Sequence, residues 1–139
     1  MYKRQSWYDD NGERWQRMGD IGRVDEEGFV TLLGRSKDMI ISGGFNIYPR
    51  DLEDALLKQP EVVDAAVIGI PSKEWGETPL GFVVAAGGET LDLPAVCARA
   101  NAELGKTQRI SALKQLDELP RSHIGKILKT ALREMVSET

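Results

Sequence analysis

The chain has 139 residues, of which 41% are hydrophobic and 29% charged, with a formal net charge of −4. This is ordinary globular usage, enough for one domain or a small domain with an appendage, and it excludes a disordered tail. One cysteine and one histidine exclude an internal disulfide and a conventional structural zinc site, and no apolar run approaches the ~20 residues of a membrane span.

The first thirty-odd residues read as loop and hairpin. Asp10-Asn11-Gly12 is turn chemistry, Arg14 to Met18 suits a strand, and Ile21–Val24 and Phe29–Leu33 flank the turn Asp25-Glu26-Glu27-Gly28. From Asp38 the pattern changes. Met39-Ile40-Ile41 reads as a short buried strand stopped by Ser42-Gly43-Gly44. Pro49 opens a helix, because its missing N–H costs nothing in the first turn; Leu52, Ala55, Leu56 and Gln59 fall at helical spacing and Pro60 ends the run. Val62–Ile70 and Leu80–Ala86 are rich in β-formers. Asp92 caps a helix with Leu93, Val96, Cys97, Ala100 and Leu104 on one face and Gly105 as its stop. Ile110–Leu116 reads as a strand, and Ile127, Leu128, Ala131, Leu132 and Met135 form an amphipathic stripe. Such an order predicts an α+β or small α/β layer fold.

Charge is unevenly placed. Residues 1–104 hold 11 Lys/Arg against 18 Asp/Glu, whereas residues 105–139 hold 7 against 4. A basic segment on an acidic body does not suit nucleic acid. It suits either a small anionic ligand, which needs only a local positive field, or a solvated helix face. Common signatures fail to decide. Gly125-Lys126 matches the end of a P-loop, but Pro120 stands where the first glycine belongs and Ile127 replaces the Ser/Thr. Ser122 and His123 are neighbours without a third group to complete a triad, and Cys97, on the apolar face of its helix, reads as a small core residue.

Two segments exceed what composition explains: Gly34–Glu53 (GRSKDMIISGGFNIYPRDLE) and Leu119–Lys129 (LPRSHIGKILK). With Met18-Gly19-Asp20 before them and Trp75–Val84 (WGETPLGFVV) between them, these strings resemble the C-terminal part of acyl-CoA synthetases. Those enzymes belong to the adenylate-forming superfamily, with luciferases and the adenylation domains of peptide synthetases. The resemblance covers nearly the whole chain in the family's order. Asp51-Leu52-Glu53 stands where Glu-Ile-Glu is commoner, and Ser122-His123-Ile124 where small residues often precede Gly-Lys.

The resemblance implies an α+β domain with a mixed sheet of about three strands flanked by helices, preceded by a β-hairpin remnant of a large N-terminal domain. Residues 1–37 would be the last hairpin segment of that nucleotide- and acyl-binding domain, and residues 38–139 the mobile C-terminal domain. It implies an ATP-dependent acid–thiol ligase that makes an acyl-adenylate and then an acyl-CoA. Its substrates would be a carboxylic acid, ATP and CoA, with AMP as product and Mg²⁺ carried with ATP mainly by the large domain. Alternatives left open are transfer of the acyl group to a carrier-protein thiol, and a stand-alone interaction module without catalysis. The resemblance makes Lys126 the catalytic lysine, at the start of a helix from Ile127 that anchors it. It makes Asp20 the acceptor of the ribose hydroxyls and Arg35 a second ribose or phosphate contact; otherwise these are a turn aspartate and a surface arginine. Asp38 becomes the hinge, or a plain loop residue. Gly43 and Gly44 line a pantetheine tunnel, or form a tight turn. Arg50, Lys106 and Arg121 are candidates for the CoA phosphates. A cytoplasmic location is expected, without a signal peptide, a membrane span or a nucleic-acid partner. Trp7, Trp15, Phe29 and Leu32 would expose apolar surface, so the isolated chain is expected to self-associate.

Overall fold

The structure, a computed structural model, describes residues 7–16 and 18–137. The chain forms two compact units, Met1–Lys37 and Asp38–Thr139.

The first unit holds two antiparallel hairpins. β1 (Trp7–Asp10) pairs with β2 (Glu13–Gln16), and β3 (Asp20–Val24) pairs with β4 (Val30–Arg35). Asn11 and Gly12 both have positive φ, 52° and 81°, the backbone of a two-residue hairpin turn whose twist matches its strands. In the second turn the Asp25 carboxylate accepts the N–H groups of Glu27 and Phe29, each at 2.9 Å, so the loop is closed by a side chain. Trp15, Phe29 and Leu32 are exposed, together with Val24 and Val30. The side chain of Trp7 lies outside the described residues.

The second unit is an α+β layer fold. β5 (Ile40–Ser42), β6 (Phe45–Ile47), β7 (Val62–Ser72), β8 (Gly76–Ala85) and β9 (Ala112–Gln115) form one mixed sheet in the order β6-β5-β8-β7, with β9 parallel to β8. The sheet has five strands where the resemblance implies about three. Four of them match the strand runs read from the residues, and the fifth, β6, follows the glycine pair and is three residues long, too short to show a period.

Three helices cover the sheet: α1 (Pro49–Leu57), α2 (Leu93–Ala102) and α3 (Lys129–Ser137). Asp92 caps α2 by accepting the Ala95 N–H at 3.3 Å. The helix ends at Ala102 with Glu103 as its right-handed C-cap, so Gly105 is not its stop. Alternate residues of β7 feed two cores. Ala65 and Val67 pack with Leu52, Leu56, Val83, Val96 and Ile110, whereas Ala66 and Ile68 pack with Phe82, Leu119 and Leu132. Both faces are covered from Ala65 to Ile68, which is why that stretch reads as an unbroken apolar run.

The α3 helix is tied to the rest of the unit by two ion pairs one turn apart. Lys129 Nζ lies 3.0 Å from Glu53 Oε1 of α1, with both side chains 17% exposed. Arg133 Nη2 lies 3.4 Å from Asp38 Oδ1. Burial pushes the Glu53 carboxyl above its ordinary value; Lys129 opposes this, while Asp54 and Asp38 add to it. The folded state thus binds the Glu53 proton more tightly than the unfolded chain, so this residue favours folding more as pH falls through its raised pKa toward the usual glutamate value of about 4.3. In paired thermal melts, wild type should gain stability relative to Glu53→Gln between pH 7 and 4.5; a relative loss would mean that pairing with Lys129 outweighs burial.

Candidate functional site

Lys126 stands on a small hairpin rather than at a helix start. Leu119 is buried and fixes the entry of this segment. Beyond it, the Leu128 N–H donates to Pro120 O and the Ser122 N–H to Lys126 O, both at 2.8 Å, and Arg121 bridges Ile127 antiparallel. The expected helix from Ile127 therefore begins at Lys129. Ile127 is drawn into the bridge with Arg121, and Leu128 donates to Pro120 O while its own carbonyl accepts the Leu132 N–H at 3.3 Å, so Leu128 caps the helix rather than lying within it. Lys126 therefore stands off the helix N-terminus; the cation in the first turn of α3 is Lys129, which Glu53 pairs.

The turn itself is Ser122 to Gly125. The Gly125 N–H donates to Ser122 O at 2.9 Å with φ of 87°, and the Lys126 N–H donates to Ser122 Oγ at 3.3 Å. A positive φ of this size is where glycine is favoured. His123, Ile124, Gly125 and Lys126 are all exposed at the tip. Among the described residues no hydrogen bond or ion pair engages the Lys126 ammonium. Arg121, by contrast, is occupied: Nη1 donates to Gly125 O at 2.8 Å and Nη2 pairs with the Asp64 carboxylate of β7.

A second feature lies at the other end of the β7–β8 pair. Gly43 and Gly44, with φ of 57° and 82°, form the two-residue turn between β5 and β6, a backbone that glycine pairs favour. The tight-turn reading of these residues is thus what the backbone shows. Their surroundings differ. A Cβ on Gly43 would lie 2.8 Å from Cε3 of Trp75, whereas one on Gly44 would meet nothing within 4 Å. Ser42, Gly43, Phe45, Trp75, Lys106 and Arg109 line a groove of about 550 Å³. Phe45 and Trp75 are exposed at 55% and 51%, giving the groove aromatic walls and two cations. The hydroxyls of Thr78 and Ser111, hydrogen-bonded to each other, line it as well.

The remaining expected residues are placed as follows. Asp20 and Arg35 face each other across β3 and β4, with Arg35 Nε 3.3 Å from Asp20 Oδ1. The pair is solvent-exposed, so it adds little stability and leaves carboxylate lone pairs available. Asp38 is the first residue of the second unit and is paired with Arg133. Arg50 is exposed at the start of α1. Cys97 is half-buried against the core; its thiol donates to Ile110 O at 3.5 Å, and burial raises its pKa. Sequence reasoning missed the parts of Trp75, Arg109 and Asp64. Trp75 was visible inside the WGETPLGFVV string, but nothing local tied it to Gly43; Arg109 and Asp64 carried no signal. Among the described residues no helix is long and apolar enough to cross a membrane.

Comparison with known proteins agrees with this geometry. The family model described as the AMP-binding enzyme C-terminal domain matches residues 51–126. The 2-succinylbenzoate–CoA ligase of Bacillus cereus is 42% identical over 124 residues, covering 89% of this chain and 25% of the relative. The long-chain-fatty-acid–CoA ligase FadD13 of Mycobacterium tuberculosis is 42% identical over 130 residues, covering 94% and 25%. ATP-bound MatB from Rhodopseudomonas palustris superposes with a TM-score of 0.80 at 37% identity, over 91% of this chain and 25% of that one. The chain thus spans about a quarter of the length of the curated relatives it matches. The turn that presents Lys126, the glycine-turn groove and the family match over residues 51–126 lead to one conclusion: the chain belongs to the AMP-binding enzyme C-terminal domain family.

Proposed function

We propose that this chain supplies the C-terminal portion of an ATP-dependent acid–thiol ligase, an acyl-CoA synthetase. In such a reaction a carboxylate attacks the α-phosphorus of ATP, giving acyl-adenylate and pyrophosphate. The CoA thiol then attacks the acyl carbon and AMP leaves. Charge on oxygen develops in both steps, so positioned cations and dipoles are the means of catalysis.

Lys126 is assigned to adenylate formation. A compact ammonium on a flexible stem reaches a carboxylate and an α-phosphate oxygen as a point charge. Asp20 accepts from the ribose hydroxyls, which a carboxylate with several lone-pair sites is able to do, and Arg35 adds a ribose or phosphate contact. The groove beside Gly43 and Gly44 is assigned to the CoA arm, with Lys106 and Arg109 toward its phosphates and Trp75 against its apolar length. Mg²⁺ travels with ATP and is held mainly by the large domain that this reading requires. Asp38 is the hinge.

The observation that carries this reading is the separation of two sites on one compact unit. Arg121 ties the lysine turn to Asp64, while Trp75 covers Gly43 just past the end of β7 at Ser72. Ser72 lies eight residue steps along β7 from Asp64, roughly 26 Å at ~3.3 Å per residue. A single reacting centre cannot lie beside both at once, so two half-reactions served in turn by rotation about Asp38 account for the arrangement.

In an intact ligase carrying this chain, Lys126→Ala should slow adenylate formation by about 10²–10³-fold, of order 3 kcal/mol, while thioester formation from pre-made acyl-adenylate changes little; pyrophosphate release and CoA consumption read the two steps separately. Equal losses in both would refute the assignment. Gly43→Ala should show the reverse, because its Cβ would displace the Trp75 indole. A several-fold loss confined to thioester formation is expected, and parallel loss in both steps would instead indicate general strain of the turn.

A further inference from the structure

The two ends of Arg121 point to a task beyond solvation. Its guanidinium donates through Nη1 to the carbonyl of Gly125, the residue immediately before Lys126, and through Nη2 to the Asp64 carboxylate. Asp64 belongs to β7, whose neighbours Ala65 and Ala66 are buried in the two cores at 3% and 0% exposure. One side of the guanidinium is thus fixed to a strand whose next residues are buried in both cores. The other grips the turn at Gly125, a carbonyl that the backbone closures Gly125 N–H to Ser122 O and Ser122 N–H to Lys126 O, and the side-chain closure Lys126 N–H to Ser122 Oγ, do not use.

We propose that Arg121 and Asp64 are positioning residues for Lys126: they clamp the Ser122–Gly125 turn onto β7 and so fix the point from which the lysine stem extends. The proposal rests on the reading of Lys126 as the acting group. Its physical basis is the planar, forked guanidinium, whose parallel donors hold two acceptors in a set geometry at little entropic cost, as an ammonium does not. The lysine stem is flexible, so the accuracy with which its charge is delivered depends on the backbone at its root. Displacement of about 1 Å at a reacting centre is enough to cost around 10²-fold in rate. An exposed turn with a left-handed glycine and no such clamp belongs to the least stable parts of a fold. The pair also accounts for the exposed tip: with Arg121 drawn inward to Asp64, His123 and Ile124 are left outermost and the ammonium is unobstructed.

Backbone ¹⁵N relaxation on this chain tests the clamp without reference to catalysis. In wild type, Gly125 and Lys126 should give order parameters near the rigid value of about 0.85, and Arg121→Gln should bring both below about 0.6. Asp64→Asn should act in the same direction, and Arg121→Lys should fall between, while Phe82 and Leu132 in the core stay unchanged. The clamp is overturned if Gly125 and Lys126 remain rigid in Arg121→Gln, or are already mobile in wild type. Should Arg121→Gln perturb Phe82 as well, Asp64→Asn decides by the same criterion. In the intact ligase, Arg121→Gln should lower kcat for adenylate formation at least tenfold at unchanged KM for ATP, with partial recovery in Arg121→Lys. A loosened turn with unchanged kcat would refute the positioning role. A wild-type enzyme that forms no adenylate would refute the ligase reading, while the relaxation result would still settle the clamp.

Discussion

The antiparallel ladder between β7 and β8 is the constraint on which the second unit depends. Ten residues of β8 run against β7, from Val62↔Ala85 to Ser72↔Gly76, with one irregularity near Val62 and Asp64. Its two faces carry separate cores, so α1 and α2 pack on one side and α3 on the other. Each end of this ladder then holds one candidate site. Near the Val62 end, Asp64 receives Arg121 and with it the lysine turn; past the Ser72 end, Trp75 lies over the glycine turn. A change in the twist or register of this pair would move both sites together, because a slip of one residue exchanges the two faces of a strand.

Electrostatics divides the basic C-terminal segment into distinct tasks. Arg121, Lys129 and Arg133 are paired within the chain with Asp64, Glu53 and Asp38. Lys106 and Arg109 line the groove, and Lys126 stands at an exposed tip. The excess of positive charge is therefore neither a uniform solvated face nor a single anion site. The Glu53–Lys129 pair is the most buried of the three, and for such a pair desolvation competes with attraction. Its placement next to Arg133 and Asp38 means that the proposed hinge and the helix after the lysine turn share one charged stripe on α3.

Much of this fold is legible in the residues, for reasons that differ from element to element. Pro49 and Asp92 mark the starts of α1 and α2 because proline fixes φ and aspartate satisfies an exposed N–H, both local effects. The turn at Asp25 is equally local. What fails is set by distant partners. Ile127 and Leu128 carry helical spacing, yet Arg121 and Pro120 capture them in a bridge and a backbone hydrogen bond. Phe45–Ile47 is too short to announce a strand until Ile40–Ser42 lies beside it. Gly105 looks like a helix stop, but α2 closes two residues earlier on its own backbone bonds, with the Glu103 N–H donating to Ala100 O at 3.1 Å. The site divides in the same way. Lys126, Asp20, Arg35, Asp38, Gly43 and Gly44 stand inside recognisable strings, whereas Asp64 reveals its part only through Arg121, 57 residues away.

The most direct measurement is the structure of an intact ligase carrying this chain, bound to a carboxylic acid substrate and a non-hydrolysable ATP analogue with CoA absent. The account predicts that Lys126 Nζ lies about 2.7–3.1 Å from an oxygen of the carboxylate or phosphoryl group, with Arg121 still joined to Gly125 and Asp64. If another cation occupies that place and the Lys126 amine remains in solvent, the account is contradicted.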